Sequence, residues 1–598
     1  MVTPKKIFEL LGPSERRRAG GLMVMILIMA FLDMLGVASI LPFMAVLANP
    51  ELLQSNTLLN TTFKLSQHIG IQTTQEFLFF LGVLVFVLLL TSLAFKALTT
   101  YVQTHFALMR EYTIGKRLVE GYLHQPYSWF LNRHSADLGK TILSEVQTVI
   151  SNAILPFLAL IAQGAISLAL LILLVIVDPL LALGVGIVLG LAYFVIFVIM
   201  SGWLKHLGEA RVNANEERFM VVSEAFGAIK EVKIGGLEKA YIKRFSKPAE
   251  IYAKGQATAT VIGLLPRYAL EAIAFGGMLL AVLYLMAESG NFSTALPIIS
   301  LYAFAGYRLM PALQQIYTAI TQLRFVAPAL NNLHEDLISL ELNNPYNSDI
   351  EPLEFSQKLL LKKISYRYPG AQKPTLKVTE LIIPAHSTVG FVGTTGSGKT
   401  TMIDVILGLL EPQEGHLFVD GQKITASILR QWQSSIGYVP QHIYLADASV
   451  AANIAFGVKT NEIDQLAVES AAKIANLHDF VVTNLAQGYA TSIGERGVRL
   501  SGGQRQRIGI ARALYHKPSV LILDEATSAL DNLTEKAVME AVNNLSHDIT
   551  IIIIAHRLST VRQCDRIYIM SQGEVKESGS YEKLKQANEH FKQLSSFG

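Results

Sequence analysis

Charged residues and cysteines are scarce in this 598-residue chain. Asp, Glu, Lys and Arg make up 16% of it, whereas about a quarter is usual in soluble domains. Cys564 is the one cysteine, which excludes an intramolecular disulfide framework and a cysteine-rich metal site. The net charge of +3 is too small to indicate a nucleic-acid partner. Because 51% of the residues are hydrophobic and the mean hydropathy is +0.38, the composition favours a membrane protein.

Long apolar runs are confined to the first 325 residues. A helix that crosses the hydrocarbon needs roughly 20 apolar residues, and only a helix satisfies its own backbone hydrogen bonds there. The first run is too long for the apolar part of a signal peptide, so we expect no cleavable leader. Six runs are long enough to cross a membrane: about 20–46, 76–107, 146–177, 179–204, 258–287 and 293–325.

Lys and Arg are concentrated in the N-terminal segment and in the two long connections 110–145 and 205–256. The short connections are almost free of them, with Lys64 between the first two runs. Because cytoplasmic loops carry the excess of Lys and Arg, we expect both termini and both long connections to face the cytoplasm of an inner (plasma) membrane. Residues 49–71 are too polar to span, and either an amphipathic helix at the outer interface or a plain extracellular loop fits their pattern.

A second region follows a polar stretch, residues 326–352, that predicts a linker between a helical domain at 1–325 and a soluble α/β domain at 353–598. The soluble domain contains the pattern G-x-x-x-x-G-K-[ST], preceded by an apolar strand at 388–392 and followed by an apolar helix at 401–410. In this context the backbone N–H groups wrap phosphate oxygens at a helix N-terminus. We expect Lys399 to reach the β- and γ-phosphates of ATP and Thr400 to bind Mg²⁺. The predicted nucleotide contacts in this loop are Gly393, Thr394, Thr395, Gly396, Ser397, Gly398, Lys399, Thr400 and Thr401.

A second apolar strand, at 519–523, is followed by Asp524 and Glu525. We expect Asp524 to hold Mg²⁺, directly or through water, and Glu525 to act as the general base for the attacking water. The alternative is that both are surface acids at a strand end.

Further motifs resemble the ABC transporter family over the whole soluble domain. Leu500-Ser501-Gly502-Gly503-Gln504 matches the ABC signature, which other phosphate-loop ATPases lack, and the resemblance implies that it binds the γ-phosphate held by a partner chain. The resemblance also assigns a Mg²⁺ and water contact to Gln441, a D-loop role to Asp531 in Ser528–Asp531, a γ-phosphate contact to His556, adenine stacking to Tyr368, and an exporter-type X-loop to Glu495-Arg496-Gly497.

Together with the six runs, this resemblance implies an ABC exporter fold, in which a six-helix membrane domain is fused to an α/β ATPase that uses ATP and Mg²⁺. Because the signature acts on a nucleotide held by another chain, the economical assembly is a homodimer. The tips of the two long connections, Ser128–Ala136 and Phe226–Gly236, are predicted to contact the ATPase; ordinary solvated loops are the alternative.

Three cations, Lys96, Arg267 and Arg308, lie inside or near the predicted spans. Such residues usually face a cavity or a partner. Arg267 could pair with Glu271 one turn later, Lys96 could extend to an interface, and Arg308 is the least easily neutralised of the three. The other reading is a cavity with excess positive charge that binds a phosphate or diphosphate.

The membrane region resembles PglK-type lipid-linked oligosaccharide flippases in three strings, 41–44, 266–268 and 307–311. In that family, basic cavity residues handle the diphosphate of the lipid carrier, and Arg267 and Arg308 fall at such positions. Lys96 stands where the family has arginine, so the charge is kept but the bidentate geometry is lost. An exporter of drugs, lipids or peptides shares every ATPase motif. A non-pumping ATP-gated or regulatory protein is disfavoured because Glu525 and His556 are intact.

Overall fold

The computed structural model divides the chain into two compact units, residues 1–125 with 132–343 and residues 126–131 with 344–598. The structure describes residues 4–51, 53, 56–68, 70–268, 271–272, 276, 279, 283, 292–340, 351–526, 532–543, 545, 548–555, 557–558, 560–587 and 591.

The described part of the first unit is helical. Three helices there are long and apolar enough to cross a membrane, Pro13–Ala48, Thr74–Leu123 and Ser135–Val177. Pro179–Gly227 and Phe292–Ser339 are continuous helices that contain the fourth and sixth predicted spans. The remaining helices are Pro4–Leu10, Thr57–Gln67, Ile229–Ile234 and Glu238–Leu264. Most of the predicted fifth span, 258–287, lies outside the described residues beyond Tyr268.

Helices are present in two segments, residues 326–339 and 49–71, for which the sequence predicted a linker or left the structure open. Residues 326–339 were predicted as linker, but they continue the helix Phe292–Ser339, and Val326, Leu330 and Leu333 are buried in the first unit. Polar residues such as Asn332 and Glu335 are exposed on this helix, which is why composition suggested a linker. Within 49–71, an amphipathic helix is present at Thr57–Gln67, where Phe63 packs edge-on against Phe77 at 5.1 Å.

A buried ion pair joins two of the long helices. The helix Ser135–Val177 contains two wider π-helical turns, and Glu145 is the last residue of the first, Thr141–Glu145. Arg211 on Pro179–Gly227 donates to Glu145 at 2.7 Å, and Asn215 donates to the other carboxylate oxygen at 2.7 Å. Both members of the pair are almost fully buried, with side-chain exposures of 1% and 7%.

The second unit consists of two sheets flanked by short helices. An antiparallel sheet has the order β2-β1-β4-β5, formed by Leu376–Pro384, Lys358–Tyr366, Glu414–Val419 and Gln422–Lys423. The larger sheet has the order β10-β9-β3-β8-β7-β6, formed by Glu574–Gly579, Arg566–Ser571, Thr388–Val392, Thr550–Ile554, Val520–Asp524 and Ile436–Val439. The flanking α-helices are Lys399–Ile406, Leu429–Ser434, Val450–Ile454, Gln465–Ile474, His478–Asn484, Gly502–Leu514, Asn532–Asn543 and Tyr581–Ala587.

The centre of the larger sheet is parallel, with β3, β7 and β8 buried along their whole length. Continuous apolar strands of this kind are typical of parallel sheets covered on both faces. In the register, Phe391 lies opposite Ile554, Asp524 opposite Ile554, and Val439 opposite Leu523. The carboxyl ends of β3, β8, β7 and β6 therefore meet at one edge, where ligands bind in open α/β sheets.

Candidate nucleotide site

The phosphate loop connects β3 to the helix Lys399–Ile406. Gly396 and Gly398 have φ of +79° and +99°, a conformation that only glycine adopts without strain. A Cβ at Gly398 would also lie 3.1 Å from the carbonyl oxygen of Thr375. Thr394, Thr395, Gly396 and Thr400 are exposed along this loop, so their polar groups are accessible to phosphate oxygens.

Lys399 is enclosed by its own loop, with 6% of its surface exposed. Its ammonium donates to the carbonyl oxygens of Gly393 at 2.8 Å and Thr394 at 3.1 Å. Burial lowers the pKa of Lys399, and the negative charges of Glu525 and Asp524 oppose that shift. Lys399, the one cation of this loop, is thus close enough to Asp524 and Glu525 to interact with both carboxylates electrostatically.

Asp524 and Glu525 occupy different environments although they are adjacent. Asp524 ends β7 and is 5% exposed, whereas Glu525 follows in the left-handed region with φ +51°. Gln441, which follows β6, donates from Nε2 to Oε2 of Glu525 at 2.8 Å. The left-handed backbone conformation of Glu525 is uncommon for a residue with a side chain, and it is often found at functional sites. The structure therefore brings Lys399, Asp524, Glu525 and Gln441 close to one another.

Sequence reasoning missed two neighbours of Asp524. Burial raises the pKa of Asp404, with a further contribution from Asp524, to about 6. Tyr438 is a hydrogen-bond partner of Asp524; burial, followed by the charges of Asp524 and Asp404, raises its pKa. Tyr438 lies on β6, which pairs with β7, so strand pairing could have suggested it as a neighbour of Asp524. Its position is fixed by the register, in which Tyr438 lies opposite Ile522.

The oxygen donors fit magnesium. Asp524 offers a carboxylate, Gln441 an amide oxygen and Thr400 an exposed hydroxyl, and Mg²⁺ binds through one or two carboxylates together with nucleotide phosphates and water. Within the described part of the chain, no group of three or more His, Cys, Asp and Glu is placed to hold a metal by itself. Asp524, Gln441 and Thr400 would hold Mg²⁺ together with the phosphates of a bound nucleotide.

Tyr368 lies beside an open cavity of about 640 Å³ lined by residues 366–371, Glu411, Gln413 and Ser128. Its hydroxyl is 3.3 Å from Oγ1 of Thr401, and its ring meets Tyr366 edge-on at 5.1 Å. The side chain is half-buried, which leaves ring surface accessible. This position at the phosphate-loop helix suits the predicted stacking on adenine.

The signature sequence begins the helix Gly502–Leu514. Ser501 is its N-cap: Ser501 Oγ accepts from the backbone N–H of Gln504 at 3.2 Å, and Gln504 Oε1 accepts from the N–H of Ser501 at 2.8 Å. This reciprocal capping satisfies two backbone donors and fixes the turn. Ser501 is exposed, so the turn faces away from its own core and is accessible to an anion brought by another molecule.

The remaining predicted positions lie partly inside and partly outside the described residues. Glu495-Arg496-Gly497 forms a short 3₁₀ turn in which Glu495 and Arg496 are exposed. His556 and the D-loop residues 528–531, with Asp531, lie outside the described residues. Residues 126–131, which overlap the predicted tip Ser128–Ala136, cluster with the second unit, whereas residues 132–136 belong to the first. Burial, followed by the charge of Asp404, raises the pKa of Tyr127. At the second tip, Phe226 and Ile234 are exposed.

The three cations predicted inside or near the membrane spans all have acidic neighbours. Arg267 donates to Glu271 at 2.7 Å on an exposed helix face. Arg308 forms an ion pair with Asp33, and Lys96 lies 4.0 Å from the same carboxylate. The expectation that Arg308 is the hardest to neutralise was wrong, because folding brings helix Pro13–Ala38 against it from nearly three hundred residues away in sequence.

Comparisons with known proteins agree on a family. The family model described as the ABC transporter matches residues 376–528, and that of the ABC transporter transmembrane region matches residues 23–307. The ATP-dependent lipid A-core flippase of Cupriavidus pinatubonensis is 32% identical over 79% of this chain and 80% of its own length. The chain belongs to the ABC transporters. The flippase of the same description from Cupriavidus metallidurans is 33% identical to this ABC transporter over 78% of each chain.

A solved structure supports the same fold. A bacterial Atm1-family ABC exporter with ATP bound aligns with a TM-score of 0.76 and 23% identity, over 97% of this ABC transporter and 98% of that chain. The predicted ABC exporter fold, with a helical transmembrane region fused to an ATPase, is therefore confirmed. The protein is a multi-pass membrane translocase driven by ATP, as its motifs indicated.

Proposed function

We propose that this ABC exporter works as a homodimer in the inner membrane and flips a polyprenyl-diphosphate-linked oligosaccharide outward. The observation that carries the substrate class is a surplus of positive charge among the three cations at the predicted spans and their acidic partners. Lys96, Arg267 and Arg308 give three positive charges, and Asp33 and Glu271 give two negative ones, so one positive charge is left over. An anionic head group is the natural complement of such a set.

The homodimer follows from the ATPase unit. The exposed turn at Ser501 belongs to the same unit as the phosphate loop, and the family mechanism requires the two to meet across chains. In this proposal two nucleotides join the ATPase units of two chains, with Mg²⁺ held at Asp524, Gln441 and Thr400. Glu525, held by Gln441, accepts a proton from the attacking water, and loss of the γ-phosphate lets the units separate.

The orientation belongs to the same proposal. With the ATPase and both termini in the cytoplasm, the first connection tip is on the side where ATP is available. Its residues 126–131 cluster with the ATPase unit, which supports a role in transmitting nucleotide-driven movement to the helices. The relatives described as lipid A-core flippases act on a lipid, and this supports an amphipathic substrate here as well.

The test is translocation in proteoliposomes, comparing a fluorescent polyprenyl-diphosphate oligosaccharide with a hydrophobic cationic dye. We expect ATP-dependent movement of the glycolipid, and its loss in Arg267→Ala with Arg308→Ala while basal ATPase activity stays. The matched control is Lys205→Ala with Lys254→Ala, which removes two cations from exposed ion pairs at 3.6 and 2.5 Å outside the predicted spans. Movement of the dye alone would favour a drug exporter and overturn the proposed substrate.

A further inference from the structure

Asp33 is an almost fully buried carboxylate that faces two of the three cations in the helical unit. Its exposed fraction is 1%, and it lies on the first long helix, Pro13–Ala38. Three side chains surround its carboxylate. Ser92 donates to Oδ1 at 2.8 Å, Arg308 is ion-paired with the same oxygen, and Lys96 lies 4.0 Å from Oδ2.

The approach of two helices explains this arrangement. Ser92 and Lys96 are four residues apart on helix Thr74–Leu123, so they share one face. Gly36, one turn after Asp33, lies against that helix, where an added Cβ would be 3.3 Å from Leu89 and 3.9 Å from Ser92. The lack of a side chain at Gly36 lets the helices come close enough for the hydroxyl of Ser92 to reach Asp33.

Exposure falls in a definite order through this group. The side chain of Lys96 is 36% exposed, that of Arg308 is 13% exposed, and that of Asp33 is 1% exposed. Lys96 is therefore the most accessible of the three groups to an incoming anion, Arg308 is less accessible, and Asp33 is the least accessible. The two cations and one carboxylate leave a net charge of +1, and the carboxylate is the most deeply buried of the three groups.

We propose that Asp33 is a built-in counter-ion that the phosphate of the lipid substrate replaces at Arg308 and Lys96. Without an anion, a buried guanidinium would lack compensation, which is costly; Asp33 supplies that anion until the substrate arrives. A phosphate offers oxygens that match the guanidinium fork, so it can take over this role. A neutral or cationic amphiphile cannot, and Asp33 thus makes entry selective for anionic head groups.

This inference rests on the proposed function, because it concerns the same substrate class. It adds a positioning residue that acts through Arg308 and Lys96. If the carboxylate and the phosphate compete, neutralising Asp33 must tighten substrate binding. If Asp33 only holds the helices together, neutralising it must weaken the fold without tightening anything.

The experiment titrates the ATPase activity of the full-length protein in detergent with geranylgeranyl diphosphate. For Asp33→Asn we expect the half-saturating concentration to fall by about tenfold, within the range usual for two coupled ligands. Asp33→Glu keeps the charge and should stay within about twofold of the wild type. Geranylgeraniol, which lacks the diphosphate, should give the same titration in all three proteins.

A second comparison avoids leaving Arg308 without a partner. Arg308→Ala should raise the half-saturating concentration, because Lys96 is then opposed by Asp33 alone. Arg308→Ala with Asp33→Asn should lower it again. If the wild type responds to the diphosphate but neither Asp33→Asn variant binds it more tightly than its parent, the counter-ion role is overturned while the proposed function stands. If the wild type does not respond to the diphosphate at all, both fail.

Discussion

Gln441 donates a hydrogen bond of 2.8 Å to the carboxylate of Glu525. The two residues are 84 positions apart in sequence, and each follows a strand of the parallel sheet. The bond joins Gln441, the residue expected to contact Mg²⁺ and water, to Glu525, the residue expected to act as the general base. Together with the left-handed backbone at Glu525, it orients that carboxylate at the edge where the phosphate loop begins.

Replacing Glu525 tests its role as the base. Glu525→Gln keeps the shape and removes the proton acceptor, so we expect turnover to fall by about 10²–10⁴-fold while ATP binding is retained. Single-turnover hydrolysis and equilibrium binding of a fluorescent ATP analogue measure the two effects. Glu574→Gln, at an exposed carboxylate paired with Lys576, is the matched control. Hydrolysis at the wild-type rate by Glu525→Gln would refute the assignment.

Mixed dimers test whether the signature acts across chains. Lys399→Ala removes the phosphate-loop cation and Ser501→Arg blocks the signature turn, so each homodimer should be inactive. Co-expression of differently tagged chains and tandem purification should yield a dimer with one intact site and measurable ATPase activity. An equally inactive mixed dimer would argue against shared sites, provided that a dimer of differently tagged wild-type chains is active.

The strand before the phosphate loop is packed too closely for any side chain at Gly390. An added Cβ would lie 2.7 Å from Val561 Cγ1 and 3.2 Å from the sulfur of Cys564. Gly390→Ala should therefore destabilise the ATPase unit by about 1–3 kcal/mol, the usual cost of overpacking. Thermal unfolding measures it. Val561→Ala makes room for the added methyl group, so its stability cost should be smaller in the Gly390→Ala background than in the wild type. Equal costs in the two backgrounds would contradict the packing.

The buried pair of Glu145 and Arg211 should behave asymmetrically. Glu145→Gln or Arg211→Met alone leaves one buried charge uncompensated, which costs about 3–5 kcal/mol. Replacing both, with Glu145→Gln and Arg211→Met, should restore most of that stability, because neither buried charge is then left without its partner and the amide oxygen at position 145 can still accept from Asn215. Unfolding in detergent, followed by tryptophan fluorescence, measures all three variants. Additive losses in the double variant would show that the two charges are not coupled.

The candidate nucleotide site was predictable because its motifs consist of residues that are close together in sequence. The glycines expected to wrap phosphate, the lysine after them and the serine that caps the signature helix each contact residues that are close in sequence. The strand positions were predictable as well, since β3 was expected at 388–392 and is found there. Tyr438 and Asp404 escaped notice because nothing local marks them; they are near Asp524 through strand order and helix placement alone.

In the helical unit, local pattern gave less. Apolar length indicated the helices but not where they end, and the helix Phe292–Ser339 continues through a segment that composition assigned to a linker. Spacing did predict the pair of Arg267 and Glu271, which are one helical turn apart. It did not predict Asp33 with Arg308, because no periodicity relates residues on different helices.

The sequence by itself determined that this chain carries an ATP-hydrolysing ABC motif set and long membrane helices, because these depend on residue order and apolar length. Only the tertiary structure decided which charges compensate each other, since burial and partner choice arise when distant helices pack. The placement of Asp33 between Ser92 and Arg308 is the clearest case. It turns three isolated cations into an exposed pair at Arg267 and a buried group around one carboxylate, with one positive charge in excess.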